Sequence, residues 1–135
     1  MNAKELVREY IEKVWNQGDL RALEELTTPE FAYHLGGQLP RDLEGMGEFI
    51  TATQEAFPDW RVGIDSIVSE GSLVAARWSG WVTNLGPFHG TPPTGRQIIV
   101  SGINFYRIED GKVAEEWEQT DSLGMLGQLG MLPAP

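Results

Sequence analysis

Asp121 closes a run, Glu115-Glu116-Trp117-Glu118-Gln119-Thr120-Asp121, in which acids and amides surround one indole. Just upstream, Asp110-Gly111 is a strong hairpin signal, because a two-residue turn needs positive φ and Gly supplies it. With Glu109 set opposite Lys112, the count places Tyr106 opposite Glu115, Asn104 opposite Trp117, Gly102 opposite Gln119 and Val100 opposite Asp121. Side chains alternate along a strand. Trp117, Gln119 and Asp121 are therefore expected on one face with Asn104, and Glu116, Glu118 and Thr120 on the other with Ile103 and Phe105. A bulge would slip this register.

If the first of those faces is concave, it offers a carboxylate and two amides in an apolar wall. A carboxylate short of water has its pKa raised toward neutrality, where it can take and return a proton. Proton abstraction beside a carbonyl needs such a base and a donor for the developing enolate oxygen. Asp121 is the candidate base. His34, Asn104, Gln119 and a ring of the first helix, Tyr10 or Trp15, are candidate donors. Trp117 and Phe49 are candidate wall residues. Each has a plainer role: Asp121 as N-cap of a tail helix starting at Ser122 or Leu123, His34 as a satisfied strand histidine, the rings as core. Metal ligation has little support. The two histidines, His34 and His89, are far apart and lack ligand spacing.

These residues need elements to hold them. Leu6, Val7, Tyr10, Ile11, Val14 and Trp15 repeat at helical spacing, which predicts a helix over 3–16 with Asn2 as a candidate cap. A shorter helix is expected at about 19–26 and a third at about 43–56, striped by Met46, Phe49 and Ile50. Strands are expected at 31–35, 61–70, 73–83, 97–108 and 112–121. The loop 84–95 holds three prolines and three glycines. Gly80 and Gly102 lie mid-strand, where they can relieve curvature. Helices followed by a run of strands is an α+β order. It predicts a cone: a curved antiparallel sheet with N-terminal helices across its concave face.

The totals agree with one domain over residues 1–135. Acidic residues outnumber basic ones 20 to 10, a net charge of −10 that repels nucleic acid and anionic membranes. No cysteine is present, so thiolate chemistry and disulfides are excluded. No apolar signal core or membrane-length run occurs, and a cytoplasmic protein is expected.

The stretches ARWSGWVTNLGPFHGTPPTGR (Ala76 to Arg96), SGINFYRIEDGK (Ser101 to Lys112) and EEWEQTD (Glu115 to Asp121) resemble the SnoaL-like polyketide cyclases of the nuclear transport factor 2-like (cystatin-like) superfamily. WNQGDL, FAYH and FPDW extend the likeness into the first half. The resemblance implies an intramolecular aldol closure without metal or organic cofactor. The aspartate at the end of the last strand, Asp121 here, would be general acid/base. Many relatives carry a histidine in the loop after the second long strand, where this chain has Asn84. The superfamily also hosts epoxide or ester hydrolases, isomerases and non-catalytic binders. The implied partners are an apolar small molecule and a second copy of the chain across the outer sheet face.

Overall fold

The computed structural model describes residues 1–132. Asn2 caps α1 (Ala3–Tyr10) in a reciprocal box with Glu5, and the helix continues as a π-helical segment, Ile11–Asn16. Asp19 accepts from two amides at the start of α2 (Leu20–Leu26), and Asp42 caps α3 (Leu43–Ala56). These short polar side chains end each helix because they replace hydrogen bonds that the first turn cannot make for itself.

The strands are β1 (Thr27–Leu35), β2 (Gly63–Glu70), β3 (Leu73–Thr83), β4 (Gln97–Glu109) and β5 (Lys112–Thr120), followed by the helix α4 (Ser122–Gln128). They form one sheet in the order β1-β5-β4-β3-β2. The pairs among β2 to β5 are antiparallel, and β1 joins the edge parallel to β5. Tyr10, Val14 and Trp15 of the first helix and Met46 and Ile50 of α3 are buried with Val74, Ala76 and Trp78 of β3 and Val100 and Tyr106 of β4. The core therefore lies between the helices and the inner face of a curved, open sheet.

The turn at Asp110-Gly111 forms as expected, with φ of 52° and 75°, and Glu109 pairs with Lys112. One pair later the expected register fails. Ile108 pairs with Val113, but Arg107 pairs with Glu115, so Ala114 is an extra residue and β5 bulges. Beyond the bulge Tyr106 faces Glu116, Asn104 faces Glu118 and Gly102 faces Thr120. A one-residue slip exchanges the two faces. Glu116, Glu118 and Thr120 thus point inward with Asn104, while Trp117 and Gln119 point outward with Ile103 and Phe105. Val113 and Ala114 are both buried, and burying two consecutive apolar residues is what the bulge achieves.

Gly102, in the middle of β4, has no room for a side chain. A Cβ there would meet the Trp78 ring at 2.5 Å and the Gln119 carbonyl oxygen at 2.8 Å.

Candidate active site

The inner face of β5 carries two buried carboxylates. The Tyr10 hydroxyl donates to Glu116 Oε1 at 2.6 Å. Trp15 Nε1 and Asn104 Nδ2 donate to its Oε2 at 3.3 and 2.7 Å. The Tyr33 hydroxyl donates to Glu118 Oε1 at 2.8 Å, and the Thr120 hydroxyl donates to Oε2. Asn104 joins the pair, since the same Nδ2 lies 3.3 Å from Glu118 Oε1. Trp78 Nε1, which can only donate, bonds to Asn104 Oδ1 at 2.9 Å and so fixes the amide's orientation.

Burial first, and then the charge of Glu118, push the Glu116 carboxyl up to about 8 against the pull of its hydrogen bonds. Burial likewise raises Glu118. Two carboxylates bridged by one amide in a dry site resist carrying two charges, so near neutral pH the pair holds a proton between them. Tyr10, Tyr33 and Tyr106 are pushed well above the ordinary phenol range, first by burial and then by these carboxylates, so their hydroxyls stay protonated.

Glu118 also forms part of the floor of a cavity of about 160 Å³. Trp15, Phe49, Phe57, Trp60, Phe88 and Met125 give it an apolar wall, with Arg41, His89 and Thr120 as polar additions. A second, narrow hollow of about 20 Å³ is lined by Glu118, Asn104, Trp15, Trp60 and Trp78. The Trp60 Nε1–H is buried at this wall and has no acceptor among the described residues. A buried donor without a partner costs about 1–3 kcal/mol.

Of the sequence-predicted residues, Asn104, Tyr10 and Trp15 meet around the carboxylate pair, and Phe49 lines the cavity. His34, Trp117 and Gln119 are on the outer face. The His34 ring stacks on Trp117 at 5.4 Å, and its Nε2 lies 2.7 Å from Glu115 Oε2. Arg107 Nε donates to the other Glu115 oxygen at 3.1 Å. Burial would raise Glu115, but the hydrogen bonds from His34 and Arg107 outweigh it and hold that carboxyl below its usual range. Asp121 is exposed, and its Oδ1 accepts from Gly124 N at 2.9 Å as the cap of α4. It borders an open groove with Asp65, Arg77 and Gln119. The expected face shared by Asp121, Gln119, Trp117 and Asn104 does not exist, because the bulge at Ala114 turns Asn104 away from the other three.

Sequence reasoning passed over Glu116, Glu118, Tyr33 and Trp60. The adjacent apolar residues Val113 and Ala114 were the one local sign of a bulge. Asn84, the position where many relatives have histidine, is buried and fully used. Its Nδ2 donates to the Ala56 and Gly86 carbonyls at 3.2 and 2.9 Å, and its Oδ1 accepts from Thr94 N at 2.8 Å. It fastens the 84–95 loop to the end of α3. Among the described residues no group of three or more His, Asp or Glu side chains is placed to hold a metal ion.

An open, curved α+β sheet with helices over one face and an acid-floored apolar hollow defines a small-domain scaffold of the nuclear transport factor 2-like kind. The family model for SnoaL-like polyketide cyclase matches residues 5–129, and the chain belongs to that family. Solved structures agree. IdmH from Streptomyces antibioticus, described as a candidate polyketide cyclase, is 34% identical, with 96% of this chain and 99% of that one covered and a TM-score of 0.84. AclR from Streptomyces galilaeus, described as a candidate hydroxylase, is 29% identical over 96% of each chain, with a TM-score of 0.85. A candidate SnoaL-like polyketide cyclase from Jannaschia is 25% identical over 96% of this chain and 92% of that one, with a TM-score of 0.87. Among curated proteins no relative matches the chain. Among the described residues no helix is long and apolar enough to cross a membrane.

Proposed function

We propose that the protein is a cofactor-independent acid/base enzyme that abstracts a proton beside a carbonyl of an apolar small molecule, as an aldol cyclisation requires. The observation that carries this reading is Glu118, a carboxylate raised by burial at the floor of a ring-lined cavity. Glu118 takes the proton from carbon, and the electron pair left behind moves onto the carbonyl oxygen. In this reading the Trp60 indole, which lines the cavity, turns its unpaired Nε1–H toward that oxygen as charge builds on it. The amide of Asn104 links Glu118 to Glu116, so the pair can adjust its single proton as Glu118 changes charge.

The test needs no knowledge of the natural substrate. Deuterium uptake into the methyl group of 4-acetylbenzamide in D₂O reports proton abstraction directly. Glu118→Gln is expected to slow protein-catalysed uptake by at least about a hundredfold with the fold retained by circular dichroism. Trp60→Phe is expected to slow it by about tenfold or more. Unchanged uptake in Glu118→Gln removes Glu118 from the chemistry.

A second reading keeps Asp121 as the base. It is favoured by its two neighbours in sequence, Thr120 and Ser122, which both line the cavity. That reading requires the carboxylate to leave the α4 cap and turn inward. Asp121→Asn separates the two. Asn caps a helix as well as Asp, so α4 is retained, and uptake falls only if Asp121 is the base.

A second copy of the chain is the proposed partner for the outer sheet face. Ile103 and Phe105 are 49% and 48% exposed there, beside the stacked His34 and Trp117, and Trp81 is 61% exposed further along β3. Large apolar side chains exposed together on one sheet face mark an interaction surface.

A further inference from the structure

The cavity is lined by one carboxylate and one guanidinium. Glu118 is at its floor, and Arg41 lines the same space. Arg41 is the one Lys or Arg among the residues that line it. Of the ten Lys and Arg residues, Lys13, Arg21, Arg61, Arg77 and Arg107 pair with carboxylates, and Arg41 is among the five that do not. Among the described residues Arg41 has no carboxylate within ion-pair distance. Its neighbour Asp42 is engaged as the α3 cap.

Arg41 is nevertheless held in place. Its backbone pairs with Tyr33 through two hydrogen bonds of 2.9 Å, which ties it to the strand whose Tyr33 hydroxyl reaches Glu118. Its guanidinium lies over the Phe49 ring, 4.7 Å from the centroid. Gly45, in the first turn of α3, leaves it room, since a Cβ there would come within 3.3 Å of the Arg41 Cβ. A guanidinium fixed over a ring, with its hydrogen-bonding fork unused by any carboxylate, is prepared for a planar oxyanion.

The geometry points to a substrate that carries a planar oxyanion, a carboxylate or an acidic enol, docked on Arg41 while its reacting carbonyl lies toward Glu118. This rests on the proposed proton abstraction at Glu118 and adds the class of molecule that undergoes it. The net charge of −10 opposes anion approach over long range, but exposed charges are screened beyond about 8 Å at physiological ionic strength. Contact with Arg41 then decides the binding. An anion on Arg41 also leaves the floor to the neutral carbonyl and keeps a second negative charge away from the carboxylate pair. A cavity of about 160 Å³ holds about one aromatic ring, so the two groups would lie on opposite ends of a ring-sized body.

The test uses 4-acetylbenzoate and its neutral counterpart 4-acetylbenzamide, which share the ring and the ketone. Isothermal titration of the full chain is expected to give at least about tenfold tighter binding of the benzoate, the advantage of one charged hydrogen-bonded contact. Arg41→Gln should abolish that preference by weakening the benzoate alone, and Arg41→Lys should keep part of it. Equal affinity for the two compounds in the wild type, or equal weakening of both by Arg41→Gln, overturns the oxyanion assignment and leaves the carbonyl chemistry standing. If both bind with the expected preference and neither methyl group takes up deuterium, the oxyanion site stands and the base at Glu118 is lost. If neither compound binds, both readings fall together.

Discussion

Glu116 is a fully buried carboxylate with three donors on its two oxygens, from Tyr10, Trp15 and Asn104. Those bonds favour the ionised form, whereas burial and the neighbouring Glu118 favour the acid, and the second pair of effects prevails. A stability signature follows. Below about pH 4.5 the folded and unfolded chains both hold this proton, and between there and about 8 only the folded chain does. This group's contribution is therefore complete at low pH and is lost as pH rises through that window. Urea unfolding from pH 5 to 9 is expected to show stability falling with pH, and Glu116→Gln is expected to flatten the fall. A parallel slope in the variant would mean that Glu116 does not hold the proton. Glu118, raised in the same direction, predicts that deuterium uptake climbs with pH above the ordinary carboxylate range, since a base must first be ionised.

The bulge at Ala114 is the element-scale device on which the site depends. Without the extra residue β5 would present Trp117 and Gln119 to the core and send Glu116 and Glu118 to solvent. By hydrophobicity alone the indole belongs inside, and the count from the turn obeyed that preference. Tertiary partners overrode it: Tyr10 and Trp15 from the first helix and Tyr33 from β1 supply donors that only the assembled fold brings to β5. Those two rings straddle the start of the π-helical segment Ile11–Asn16, a rare turn that accompanies functional sites in other helices. Gly102 gives the element-scale prediction. Gly102→Ala would force a methyl group against Trp78, which holds the Asn104 amide. We expect a loss of about 1–3 kcal/mol in thermal or urea unfolding. Wild-type stability in Gly102→Ala would show that the sheet can flatten there without cost.

At the scale of the whole molecule, the sheet separates two kinds of chemistry. Its inner face keeps a carboxylate pair dry, and its outer face exposes rings and branched side chains around the His34–Trp117 stack. Covering that outer face with a second copy would bury apolar surface at about 25 cal/mol per Å². Sedimentation at micromolar concentration is expected to give a dimer for the wild type and a monomer for Phe105→Asp, with the circular dichroism spectrum retained. A wild-type monomer would remove the pairing. The helix cap at Asn2, the apolar stripe of the first helix, the Asp110-Gly111 turn and the α+β order were all legible in the chain. Each depends on residues within a turn or two of one another, where spacing alone carries the signal. Asp121 shows the limit of such signals. The same aspartate matched a cap and a catalyst, and the cap is what its nearest neighbours provide.

The amino-acid sequence by itself determined the class of fold, the family and the residue types available for acid/base work, because periodicity, turn chemistry and family motifs are local properties of a chain. Tertiary structure alone decided which carboxylates lose their water. That choice depends on one unpaired residue in β5 and on donors up to 106 positions away. Burial of charge is set by what surrounds a group in space, and no spacing along the chain records it.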